Sequence, residues 1–126
     1  MTRSLSPKPR DPPEGEPDVK AVETAVQVLG GKWKIMILVH LNEGPRRFSD
    51  LRRRVPPISQ QSLTLQLREL ERDGVIDRHV YAEVPPRVEY SLSEIGVKIS
   101  SLIPPLMAWG YAILRFRSER GECARP

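Results

Sequence analysis

Residues 46–76 read "RRFSDLRRRVPPISQQSLTLQLRELERDGVI", and two helices of unequal character are written in them. Phe48, Leu51 and Val55 stand at i, i+3 and i+7, a spacing that gathers them on one side of a short helix. Ser49, Arg52 and Arg53 fall on its outer side, and Pro56-Pro57 ends it. Ser59 is placed to accept from the backbone N–H groups of the next turn, which predicts a second helix over 59–73 with Gly74 as its stop. Leu63, Leu67 and Leu70 form its apolar stripe, within roughly 60° of one another on a helical wheel. The side facing away holds Gln61, Thr64, Leu65, Arg68 and Arg72, while Glu69, Glu71 and Asp73 gather in the C-terminal half.

Upstream, Asp18 caps a helix in which Val19, Val22, Val26 and Leu29 recur at helical spacing before Gly30-Gly31 stops it. "KWKIMILVHLNEG" follows, too apolar for a surface helix and ended by Asn42, Gly44 and Pro45; it is expected to be a buried second helix. Downstream, "VIDRHVYAEV" and "RVEYSLS" alternate or favour β-branched and aromatic residues on either side of Pro85-Pro86, as the two strands of a hairpin. Ser93 caps a last helical region, which Pro104-Pro105 is expected to interrupt. Residues 1–17 are rich in proline and charge, with Leu5 the one large apolar side chain, and are expected to be a disordered arm. The folded domain then spans 18–117 and a short tail 118–126.

The 126 residues carry a net charge of +4, enough chain for one small core. Its cations cluster. "GPRRFSDLRRRVP" alone holds five arginines against one aspartate, a local field suited to polyanions or anionic surfaces. No apolar run is expected to reach the roughly 18 residues of a membrane span, and the N-terminus lacks the apolar middle of a secretory signal. A cytoplasmic protein without membrane contact is expected. The single cysteine, Cys123, excludes an intramolecular disulfide. His40 and His79 have no second histidine or cysteine at ligand spacing, so neither a metal site nor a cofactor is expected. No phosphate loop follows a strand and no catalytic set is suggested by spacing, which argues against an enzyme.

Helix, helix, short helix, turn, longer helix and hairpin is the order of a winged helix-turn-helix, a mainly α fold with a small β-hairpin wing. In that fold the longer helix lies in a DNA major groove. Gln60, Gln61, Ser62, Thr64, Leu65 and Arg68 are then the candidate base readers: glutamine pairs with adenine, arginine with guanine, and an aliphatic side chain meets a thymine methyl. Arg46, Ser49, Arg52, Arg53 and the Ser59 helix start are candidate phosphate contacts. Arg87, beside Pro86 at the hairpin tip, reads either as a solvated loop arginine or as a minor-groove or phosphate contact. Leu102, Ile103, Leu106, Trp109, Ile113 and Phe116 sit at helical spacing with no evident surface of the domain left to cover them. They are expected to meet the same residues, and Val19 and Val22, across the two-fold axis of a homodimer.

The segments "GGKWKIMIL", "GPRRFSDL", "ISQQSLTLQLRELERDGVIDR", "VPPRVEYSLSEIG" and "LMAWG" resemble, in order and spacing, the HxlR-type family of bacterial winged-helix regulators, relatives of the MarR-like group. The similarity covers about residues 19–110 of this chain. It implies a homodimeric, sequence-specific DNA-binding repressor or activator with double-stranded DNA as partner, a small-molecule effector remaining open. Several sensing members carry a cysteine fourteen positions before the tryptophan of "GKW"; counting back from Trp33 lands on Val19, which has no thiol. The competing class is a winged-helix protein-interaction adaptor, in which the outer side of the longer helix would show a contiguous apolar patch.

Overall fold

The computed structural model describes residues 17–121. The arm assigned to 1–17, Pro17 excepted, and Cys123 of the tail lie outside the described residues. Two compact units meet in sequence at Gly30 and Gly31.

The first contains helix α1, Val19–Leu29. Asp18 caps it as its sequence predicts, its carboxylate accepting from the Ala21 amide at 3.1 Å. Val19, Val22 and Val26 fall on one side by their spacing, and no residue of α1 is buried.

In the second unit, α2 (Lys34–Leu41) buries Ile37, Leu38 and Leu41, which is why so apolar a segment is helical without a polar face. Gly44, at φ 140°, turns the chain out of it. A two-residue strand β1 (Arg46–Arg47) leads directly into α3 (Phe48–Arg54). Leu51 and Val55 are buried as the spacing predicts, and Ile58 joins them from the turn. Helix α4 spans Gln60–Arg72. Ser59 Oγ accepts from the Ser62 amide at 3.0 Å, Gly74 takes φ 82°, and Leu63, Leu67 and Leu70 are the buried stripe.

β2 (Ile76–Tyr81) and β3 (Arg87–Leu92) pair antiparallel from Ile76 opposite Leu92 to Tyr81 opposite Arg87. The expected hairpin is one strand short of the observed sheet: β1 pairs with the other edge of β3, Arg46 opposite Tyr90 and Arg47 opposite Glu89, giving the order β1-β3-β2. The architecture is mostly helical with a small three-stranded antiparallel sheet, a winged helix-turn-helix. Ser93 fastens the root of the wing to the end of α4, donating from Oγ to the Gly74 carbonyl at 2.6 Å and accepting from the Gly96 amide at 3.1 Å. A Cβ on Gly96 would overlap the Val75 carbonyl oxygen, so the close approach at this corner depends on glycine.

Ser93 caps a helical region as its sequence predicts, and that region starts as a 3-10 helix over Gly96–Ser101. Two expectations for the C-terminal region need correction. Pro104 and Pro105 open the seventeen-residue helix α5 (Ile103–Glu119) and do not break one, because the first turn of a helix has no intrahelical N–H bond for proline to remove. Gly96–Glu119 is, by length and composition, long and apolar enough to cross a membrane, contrary to the expectation that no segment would be. Most of its large apolar side chains belong to α5, where Leu106, Met107, Trp109, Tyr111, Leu114 and Phe116 are all exposed.

Candidate nucleic-acid interface

The outer side of α4 is built by what its inner side does. Burying Leu63, Leu67 and Leu70 fixes the rotation of the helix to first order, and Gln60, Gln61, Thr64, Leu65 and Arg68 then line one shallow depression on the surface. Leu65 is the only large apolar residue of α4 that is exposed, at 52%, so the contiguous patch an adaptor would show is absent from the helix. Gln60, Gln61 and Arg68 make no side-chain hydrogen bond or ion pair with a described residue. The Thr64 hydroxyl donates to the Gln60 carbonyl at 2.9 Å, which leaves it an acceptor toward solvent. Ser62 is half-buried, with its amide in the Ser59 cap. The acids of the helix are drawn aside. Glu69 meets Lys34 of α2 at 2.6 Å and Glu71 meets Arg78 of β2 at 3.4 Å.

The basic element is wired differently from its appearance in the sequence. Asp50 accepts from three arginines: Arg46 at 2.9 Å, Arg53 at 2.7 Å and Arg54 at 3.1 Å. The hydrogen bond from Arg46, ahead of that from Arg54, holds the Asp50 carboxyl below the usual carboxylate range. Arg46 also donates from Nε to the His40 carbonyl at 3.0 Å and pairs with Glu43. Its side chain is only 14% exposed, turned inward where a phosphate contact was expected. It ties the end of α2, the following turn, β1 and the start of α3 together. Arg52, Arg47 and Ser49 are exposed, and neither arginine makes an ion pair with a described residue.

At the wing, Arg87 lies over the Tyr81 ring at 4.1 Å from its centroid and pairs with Glu83 at 3.2 Å and Glu89 at 3.7 Å. The groove it lines also holds Arg47, Ser49, Val84 and Pro86, so the structure joins the wing tip to the entrance of α3. Arg47 was not among the expected contacts. No spacing in the sequence marks it: once β1 is paired with β3, neighbouring residues point to opposite faces, which sends Arg46 in and Arg47 out.

Of the residues assigned to a dimer contact, Val19, Val22, Leu102, Leu106, Trp109 and Phe116 are exposed, Trp109 most of these at 66%, and Ile113 is half-buried. Ile103 is corrected to the core, at 8% exposure. Leu102, Leu106, Trp109, Ile113 and Phe116 fall within roughly 80° on a helical wheel. Met107, Tyr111 and Leu114 make a second exposed stripe, centred roughly 150° further round the helix. No group of three or more His, Cys, Asp or Glu among the described residues is arranged to hold a metal ion.

Residues 28–117 match the family of HxlR-like helix-turn-helix proteins. The chain is 54% identical to YdeP of Bacillus subtilis (strain 168), named as an HTH-type transcriptional regulator, over 82% of this chain and 80% of that one. The crystal structure of ytcD, named as an HTH-type transcriptional regulator, superposes with a TM-score of 0.71 at 52% identity, covering 75% of this chain and 96% of the other. The reduced form of the redox regulator HypR superposes with a TM-score of 0.70 at 47% identity, covering 73% and 91%.

Proposed function

The chain belongs to the HxlR-like helix-turn-helix family and is a helix-turn-helix transcriptional regulator; from that premise we propose that it is a repressor that binds an inverted-repeat operator as a homodimer. The observation that carries this reading is the outer side of α4, where Gln60, Gln61, Thr64, Leu65 and Arg68 share one depression and the nearby acids are paired elsewhere. In a major groove Gln61 and Arg68 read base edges, Leu65 meets a thymine methyl, and Gln60, Ser62 and Thr64 support them from the first turns. Arg52, Arg53 and Arg47, with Ser49 and the Ser59 helix start, meet phosphates. Arg53 has to exchange its bond to Asp50 for one to DNA. Arg46 acts from behind, holding α3 in place, and Arg87 presents the wing to the minor groove or the backbone.

The apolar side of α5 from Leu102 to Phe116 is covered by a second copy, with Val19 and Val22 of α1 taking part. A two-fold assembly of this kind sets two recognition helices about 34–36 Å apart, one turn of DNA. Val19 stands where sensing relatives carry a cysteine, so operator release by oxidation at α1 is not expected of this chain; a small-molecule effector or abundance does the switching.

The test is to incubate the purified protein with sheared genomic DNA and sequence what it retains. Enrichment of a palindromic site with half-sites about 10 base pairs apart, centre to centre, is the expected result. Retention without sequence enrichment would leave a general DNA binder, and no retention would remove the reading.

A further inference from the structure

The segment "GGKWK" has no role in the DNA contacts above, yet it supplies Lys34, the one charged residue among the described residues that is buried, at 8% exposure. Its position is unfavourable twice over. A lysine ammonium inside a fold is costly unless paired, and Lys34 is the first residue of α2, where the helix dipole opposes a cation. An apolar residue at this place would serve stability at least as well. What a charged pair adds is direction. Lys34 Nζ lies 2.6 Å from Oε1 of Glu69, which stands next to Arg68 in α4.

On the rest of its inner side α4 is held by Leu63, Leu67 and Leu70, and apolar contact has no preferred orientation. The outer edge of the side chains, roughly 6 Å from the helix axis, moves by about 1 Å for each 10° of rotation about that axis. Recognition geometry tolerates about 0.5 Å. A residual rotation of about 5°, left after the leucine stripe has set the orientation to first order, is therefore enough to misplace Gln61 and Arg68. We propose that Lys34 is a positioning residue of the DNA-reading face: its ion pair with Glu69 fixes the rotation of α4, and with it the separation between operator and random sequence. The same pair engages the Glu69 carboxylate with α2, on the side away from the depression lined by Gln61 and Arg68. This inference rests on the proposed reading of DNA by α4.

The experiment uses full-length protein and two probes, a duplex enriched by the wild-type protein from a random-sequence library and a shuffled duplex of the same composition. Affinity for both is measured across a salt series for the wild type, for Lys34→Met/Glu69→Leu, which removes the pair without stranding a charge, and for Glu69→Gln, which keeps the side chain's shape and loses its charge. A loss of folded fraction weakens both affinities equally and leaves their ratio unchanged, so the ratio reports positioning and not stability. The double variant is expected to keep the salt slope and to lose about tenfold in the ratio; Glu69→Gln is expected to lose about threefold in the ratio, and carries the test if the double variant does not fold. A ratio within about twofold of wild type in every variant that folds would overturn the proposal while leaving α4 as the reader. A wild-type protein that shows no preference between the probes would overturn the reading and this inference together.

Discussion

α3 and the first half of α4 exchange the roles that their compositions suggest. The arginine-rich helix is largely occupied with itself: Asp50 takes hydrogen bonds from Arg46, Arg53 and Arg54, and Arg46 is anchored further by His40 and Glu43. The helix that begins with two glutamines is the open one, with Gln60, Gln61 and Arg68 making no side-chain bond to a described residue. Cation density along a chain therefore overstates what the fold offers to phosphates. An uncharged helix face, by contrast, is available to a partner almost in full, because it has little to pair with inside its own fold.

The sharpest way to separate the two sides of α4 is to truncate one leucine on each. Leu67→Ala is expected to cost about 2 to 5 kcal/mol of stability in urea unfolding, whereas Leu65→Ala should stay within about 0.5 kcal/mol and weaken operator binding instead. Equal stability losses would mean that the inner and outer sides have been misassigned.

Arg46→Ala comes next, at about 2 kcal/mol of stability for the charged hydrogen bonds it removes, with the salt dependence of DNA binding unaltered. A reduced salt slope in that variant would return Arg46 to the phosphate contacts. Acid provides a related test. The Asp50 carboxyl is depressed chiefly by its bond from Arg46, and that of Glu69 chiefly by its bond from Lys34. A carboxyl whose folded pKa is lowered adds stability that is complete above its unfolded value and is lost as pH falls through the folded one. The unfolding midpoint should thus drop below about pH 4, and less steeply in Asp50→Asn; an unchanged acid limb in that variant would argue against the Asp50 hub. The smallest effect is expected at α3 itself. Arg52→Ala should lower the slope of log affinity against log salt by roughly 1, and a slope equal to wild type would exclude Arg52 from the backbone contacts.

Much of this arrangement was legible from residue spacing. Ser59, the stripe of Leu63, Leu67 and Leu70, and Gly74 define α4 by local rules that the fold obeys, and the glutamine-bearing outer side follows from the same wheel. β1 was not legible, because a strand of two residues has no periodicity; it exists only through its pairing with β3. The inward turn of Arg46 was hidden for a similar reason, since its partners at positions 40, 43 and 50 belong to separate elements brought together by the fold. Ile103, expected in the outer seam, stands about 100° from Leu102 on a wheel, on the side that its own domain covers. The Lys34–Glu69 pair joins α2 to α4 across 35 positions, beyond the reach of any spacing rule.

Arg68→Ala, assayed on the duplex the wild-type protein selects and on its shuffled counterpart, tests most directly whether the open side of α4 reads sequence. The account predicts a loss of about 1 to 3 kcal/mol on the selected duplex, a smaller loss on the shuffled one, and relaxed preference at a single base position. Equal losses on both, with the preference intact at every position, would contradict it.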